Sequence, residues 1–255
     1  MVPRVSIVTP SFNQGRYLEA TLASVIDQGY ENLEYIVIDG GSTDVSPEVL
    51  DRHQSSFAYL QSRPDNGQTD ALIQGFARAT GEILGWLNSD DLYEPGAIAE
   101  VGAYFTANPS ARFVFGDSSW IDEDGRLLSR KREMPFNRFV WLRTYDYIPQ
   151  PSAFWRRDLY EQVGGLDPAF ELAMDADLFA RFAELTRLHH VSRLWSRMRS
   201  HSDQKNVRLR AQSDREEETI RRRYGVPTGA RGAAERALAR ATRVAVRASR
   251  GAYWR

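Results

Sequence analysis

Ile83, Leu84, Gly85, Trp86 and Leu87 run without a charge into Asn88-Ser89-Asp90-Asp91, so an apolar segment ends in two adjacent carboxylates. Neighbouring carboxylates repel unless a proton or cation intervenes, which makes this turn a candidate metal site. The plainer use is structural, since Ser89 or Asp90 could cap the helix that Pro95 helps to start. Asp39 closes another apolar run and opens Gly40-Gly41-Ser42-Thr43-Asp44. A carboxylate there can accept from the imide of a pyrimidine base or from a ribose hydroxyl, or it can simply shape the turn. Met174-Asp175-Ala176-Asp177-Leu178 places two acids two positions apart at the start of a helical pattern. Arg199-Ser200-His201 offers an imidazole that binds metal when neutral and pairs with phosphate when protonated.

These groups need a scaffold that brings distant turns to one edge. The first half alternates short buried-strand patterns with helical ones: strands at 5–9, 34–38, near 57–61 and at 83–87, and helices at 17–27, near 47–53 and at 69–79. That alternation predicts an α/β fold, a mostly parallel, Rossmann-like central sheet flanked by helices, with a helical C-terminal extension. Right-handed crossovers put the turns after strands one, two and four on the same rim, where α/β sheets gather ligands. Further helices are expected at 95–107 and 172–185, a hairpin at Asp122-Glu123-Asp124-Gly125, and one charged helix from Asp203 to about Tyr224. Trp86 and Trp155, on strands, read as core; Trp120, in a loop after Asp117, reads as the site aromatic.

Composition narrows the chemistry. The 255 residues are 42% hydrophobic and 26% charged, enough for one sizeable α/β domain. With no cysteine, thiolate nucleophiles, zinc-thiolate sites and disulfides are excluded, so a metal must use oxygen or imidazole ligands. The absence of cysteine fits a reducing cytosol, and neither a signal peptide nor an apolar run of about 20 residues is visible.

The ordered set Thr9-Pro10-Ser11-Phe12-Asn13, Asp39-Gly40-Gly41-Ser42-Thr43-Asp44, Asp65-Asn66-Gly67-Gln68 and Asn88-Ser89-Asp90-Asp91 resembles the nucleotide-sugar-binding half of inverting family 2 glycosyltransferases with the GT-A fold. Gln150-Pro151-Ser152, Gly164-Gly165-Leu166-Asp167 and Met174 to Leu178 resemble the acceptor half of bacterial polysaccharide-assembly members. The resemblance covers residues 3 to 205. It implies a nucleoside-diphosphate sugar donor, uridine or thymidine diphosphate favoured, and a glycan or polyprenyl-diphosphate-linked acceptor. It also implies Mg²⁺ or Mn²⁺ held by Asp90 with His201. Thr9, Pro10, Ser11, Asp39, Gly67, Gln68, Asn88 and Ser89 would bind the donor. Asp175 would be the base, with Asp177 its rival. Asn88 stands where the family usually has aspartate, and Asp91 is read as supporting the metal or capping the next helix, the cap being favoured. The other readings left open are a nucleotidyltransferase, which lacks its basic phosphate loop here, and a silent sugar-nucleotide-binding or membrane-associated scaffold.

Domain organisation follows the same division: residues 1–117 for the donor, 118–228 for the acceptor, and 229–255 as a basic amphipathic or disordered tail. The tail holds seven arginines against Glu235, while the whole chain has net charge −1. Arg236, Arg240, Arg243, Arg247 and Arg250 recur on one helical stripe. The expectation is contact with an anionic membrane surface, Tyr253 and Trp254 at the interface, and a cytoplasmic protein peripheral to the inner face of the cell membrane. No aromatic interleaving or known module accompanies the charge, so nucleic acid is not an expected partner.

Overall fold

A computed structural model describes residues 2–250. In chain order the elements are β1 (Val5–Ser11), α1 (Gly15–Ile26), β2 (Leu33–Asp39), α2 (Ser46–Arg52), β3 (Tyr59–Ser62), α3 (Gln68–Phe76), β4 (Ile83–Trp86), β5 (Leu92–Tyr93), α4 (Ala97–Ala107), β6 (Phe113–Ile121) and β7 (Leu127–Lys131). They continue with α5 (Arg138–Arg143), β8 (Ala153–Arg156), α6 (Arg157–Gln162), α7 (Met174–Leu185), β9 (His189–Arg199), α8 (Lys205–Arg208), α9 (Arg210–Arg223) and α10 (Gly229–Ser249).

The strands of the described residues form one sheet in the order β3-β2-β1-β4-β8-β6-β9-β5, with β7 paired to β6. The first four run parallel, so the turns after β1, β2 and β4 do share one rim. β8 enters antiparallel between β4 and β6, whereas β6 and β9 run parallel. Strand alternation divides the core. Val5 and Ile7 pack with Leu18, Leu22 and Val25 on one face; Val8 packs with Leu72 and Phe76 on the other. A Cβ on Gly75 would come within 2.4 Å of Val8 Cγ1, so glycine lets α3 lie close on β1. Trp86 and Trp155 are core, their ring centroids 5.7 Å apart.

Several expectations change. β6 runs on to Ile121, so Trp120 is half-buried on a strand opposite Ser129 rather than in a loop. The two-residue β5 pairs with β9, too short to leave a periodic signal. The charged helix breaks at Leu209 into α8 and α9.

The basic C-terminal segment is a helix docked on the body. Arg143 meets Glu235 at 2.7 Å, and Arg243 meets Glu133 at 3.1 Å with side chains only 12% and 1% exposed. Arg243 also lies over the Tyr145 and Tyr147 rings. The arginine face thus turns partly inward, and Ala234, Ala237, Leu238, Ala241 and Val244 face out. Tyr253 and Trp254 lie outside the described residues. Among the described residues, no helix is long and apolar enough to cross a membrane.

Candidate active site

The turns after β1 and β2 are bound to one another by their own side chains. Asn13, at φ 51°, donates its N–H to Ser42 Oγ at 2.8 Å, and its Oδ1 accepts from Thr43 N–H at 2.8 Å. Asp44 accepts from Gly15 N–H and Ser46 N–H, tying the starts of α1 and α2 together. Asp39 is fully buried. Its carboxylate accepts from the N–H groups of Gly41 and Ser42, from Ser42 Oγ and from Ser62 Oγ. In this structure Asp39 therefore builds the loop wall. Thr9 Oγ1 pairs with Tyr35 Oη at 3.0 Å inside the sheet, so Thr9 supports the strand rather than presenting a side chain. Pro10 and Ser11 are buried at the strand end, where Ser11 O accepts from Gly40 N–H.

The turn before α3 lies beside that wall. Gly67, at φ 103°, precedes the first turn of α3, and its N–H donates to Asp65 Oδ1. Asp65 Oδ2 would stand 3.0 Å from a Cβ on Gly40, so the Gly40 loop and the Asp65 turn touch. Burial raises the Asp65 pKa, and the Asp70 and Asp39 charges add to the rise. Gln68 reaches across to donate to Asn88 Oδ1 at 2.8 Å.

At the end of β4, Asp90 and Asp91 part company. Asp90 Oδ2 lies 3.0 Å from His201 Nε2, the side chains 18% and 2% exposed. The His201 ring packs 4.9 Å from the Tyr17 ring, and its Nδ1 is buried with no partner. Asp91 is buried, and Oδ1 accepts from Arg199 N–H at 2.9 Å. Burial, followed by the Asp90 charge, pushes its carboxyl well above the usual range. It caps no helix: α4 begins at Ala97 after the left-handed Gly96, because β5 intervenes. The favoured cap assignment is corrected accordingly, and neither Ser89 nor Asp90 caps that helix, whose N-cap is Gly96. Ser89 is buried, its carbonyl accepting from Thr21 Oγ1.

The spacing of the Asp90–His201 pair suits Mg²⁺ or Mn²⁺. Two donors on adjacent corners of an octahedron with arms of about 2.1 Å stand about 3.0 Å apart, which is the spacing observed here. Among the described residues, no group of three or more His, Cys, Asp or Glu is arranged to hold a metal. The protein would thus offer one carboxylate and one imidazole, leaving the other positions to phosphate and water.

The two acids at the start of α7 have separate fates. Asp177 is fully buried between Arg181 at 2.7 Å and Arg223 at 2.5 Å, a structural ion pair. Asp175, in the first turn of α7, is half-buried, and its Oδ1 accepts from Ala176 N–H. Burial pushes its pKa up to about 6, Glu217 adding to the rise while Lys131 opposes it. Asp146 faces Asp175; burial, then the Asp175 charge, raises it to about 8, although Trp141 Nε1–H and Ile148 N–H both donate to Oδ1. Asp146 lines a small cavity with Trp141, Tyr145, Ala176, Glu217 and Arg221.

Four further residues of the site region are held by partners remote in sequence. Arg199 is buried: it donates to the carbonyls of Asp90, Asp122 and Glu123 and lies over the Tyr17 ring. Arg197 forms a two-pronged pair with Glu94. Glu216 Oε2 accepts from three successive N–H groups, of Glu171, Leu172 and Ala173, just ahead of α7. Gln150 joins the Asn88 turn, as taken up below.

This architecture has known counterparts. Residues 6–164, more than half of the chain, match the family described as glycosyl transferase family 2, and the chain belongs to that family. An uncharacterized glycosyltransferase of Mycobacterium tuberculosis is 36% identical over 183 residues, covering 71% of this chain and 69% of that protein. The O-antigen biosynthesis protein RfbC of Myxococcus xanthus is 31% identical over 194 residues, covering 72% of this chain but 15% of its own length. Among solved structures, the mannosyltransferase PcManGT of Pyrobaculum calidifontis, in complex with GDP-Man and Mn²⁺, superposes with a TM-score of 0.66 at 20% identity, covering 100% of this chain and 77% of that one. The protein is a glycosyltransferase with the GT-A fold.

Proposed function

We propose that this glycosyltransferase moves a sugar from a nucleoside-diphosphate sugar to a hydroxyl of a glycan or polyprenyl-diphosphate-linked saccharide, inverting the anomeric centre, in bacterial surface-polysaccharide assembly. Uridine and thymidine diphosphates are the favoured carriers. The observation that carries the reading is the Asp90–His201 pair, 3.0 Å apart beyond the carboxyl end of β4. The O-antigen biosynthesis relative supports the pathway class, and the fold neighbour with GDP-Man and Mn²⁺ supports a sugar nucleotide with a metal.

Asp90 and His201 would hold Mg²⁺ or Mn²⁺, which when bound supplies Lewis-acid stabilisation of the negative charge on the leaving diphosphate. Asn88 and Ser89 lie beside them, and the Gly40–Ser42 and Gly67–Gln68 turns, with Pro10 and Ser11, border the nucleotide. Thr9 and Asp39 act by holding those turns in shape. Asp175 takes the acceptor proton: the acceptor oxygen bonds to the anomeric carbon as the carbon–phosphate oxygen bond breaks, and the proton passes to the carboxylate. A carboxyl raised to about 6 is ionised at neutral pH yet more basic than an ordinary aspartate.

The test is nucleotide release from uridine, thymidine and guanosine diphosphate sugars with Mg²⁺, Mn²⁺ or EDTA. Release is expected to need a cation and to fall about a hundredfold in Asp90→Ala, on the scale of one lost charge-stabilising group. Undiminished release in EDTA would overturn the metal reading. Association with an anionic membrane at the inner face of the cell would use α10, and the 59% and 55% exposure of Leu238 and Val244 near Arg240 supports that reading. Leu238→Glu with Val244→Glu is expected to abolish sedimentation with anionic vesicles; unchanged sedimentation would remove this surface.

A further inference from the structure

The amide at residue 88 belongs to a chain of three amides whose direction is set from one end. Gln150, a buried residue of the turn ahead of β8, donates Nε2–H to the Trp86 carbonyl at 2.9 Å. A carbonyl only accepts, so the Gln150 amide is fixed with Oε1 toward Asn88. Asn88 answers by donating Nδ2–H to Gln150 Oε1 at 3.3 Å and accepting from Gln68 Nε2–H at 2.8 Å. The chain spans the molecule: Gln68 opens α3, Asn88 follows β4, and Gln150 comes from the half attributed to the acceptor.

An aspartate at 88 would break this order. Its ionised carboxylate has no hydrogen to give, so it would face Gln150 Oε1 oxygen to oxygen. Turning the Gln150 amide over would restore a donor there but set Oε1 against the Trp86 carbonyl. One buried acceptor is left without a donor in either case. We propose that Gln150 is a positioning residue of the donor site, and that through its contact with Asn88 and Gln68 it requires an amide at 88. Restoring aspartate to the motif therefore impairs this enzyme. The inference rests on the donor-site reading above.

The experiment measures donor KM and kcat for wild type, Asn88→Asp, Gln150→Leu and the double variant, and their urea unfolding without nucleotide. Asn88→Asp is expected to raise donor KM about tenfold, the scale of one unpaired buried acceptor, with kcat little changed. In the Gln150→Leu background the same change is expected to cost clearly less, because Gln150 Oε1 no longer opposes the carboxylate and only the Asp91 carboxyl, which the Asn88 side chain also meets, remains in both backgrounds. An equal cost in both backgrounds, or a lower KM in Asn88→Asp, overturns the proposal, as does a fall in stability with KM unmoved. If wild type releases no nucleotide from any sugar nucleotide, the donor reading fails by itself. Unfolding then decides the relay: non-additive losses uphold it and additive losses overturn it.

Discussion

Asp39 and Asp44 find their partners inside the turns after β1 and β2, whereas the segment leading into Asp175 is held from 43 to 45 residues away by Glu216. The first half is a parallel sheet whose turns are short and bind one another. The second half is a mixed sheet edge with a long excursion from 121 to 153, and its buried acids are paired by elements that arrive late in the chain: Arg223 on Asp177, and Arg243 on Glu133. The difference teaches that one half can be altered through local turn chemistry and the other only through its remote supports.

Breaking the remote supports should give the largest effect. Arg243→Ala leaves Glu133 buried without its cation and is expected to cost about 3 kcal/mol of stability in urea unfolding. A loss below about 1 kcal/mol would mean that α10 is not docked as described. Asp39→Ala strips an acceptor from two backbone N–H groups and two serines, so it is expected to cost about 2 kcal/mol and to raise donor KM with kcat retained. Glu216→Ala should act in the opposite sense, lowering kcat about tenfold while donor KM stays near wild type, as loss of a cap misplaces the start of α7. Equal effects of the Asp39 and Glu216 changes on donor KM would erase the contrast between the halves.

The smallest effect near neutrality is the pH dependence. Burial raises Asp175 to about 6, so its base form is lost as pH falls through that value. The rate is expected to be flat above pH 7 and to drop about tenfold per unit below the limb. Glu217 favours the protonated form of Asp175, while Lys131 opposes it. Glu217→Gln is expected to move the limb to lower pH.

The frame of the first half was legible in the sequence because a buried parallel strand is a short apolar run bounded by polar turns, as at 5–11, 33–39 and 83–86. It also made Asp90 and His201 stand out, since their residue types advertise ligation. It did not reveal that Asp91 turns inward, because its partner is the backbone of Arg199, 108 residues away. Nor could a charge stripe show which way it faces: Arg243 is drawn inward by Glu133, 110 residues earlier. Asp175 is favoured over Asp177 by resemblance alone, and the ion pairs of Arg181 and Arg223 that close on Asp177 leave no mark in the local sequence.

The most direct test of the central claim is Asp175→Asn, examined for both donor binding by calorimetry and sugar transfer. The account predicts donor affinity within about twofold of wild type and transfer reduced about a hundredfold or more, the contribution of a positioned base. Transfer at the wild-type rate, or loss of donor binding in parallel with transfer, would contradict it.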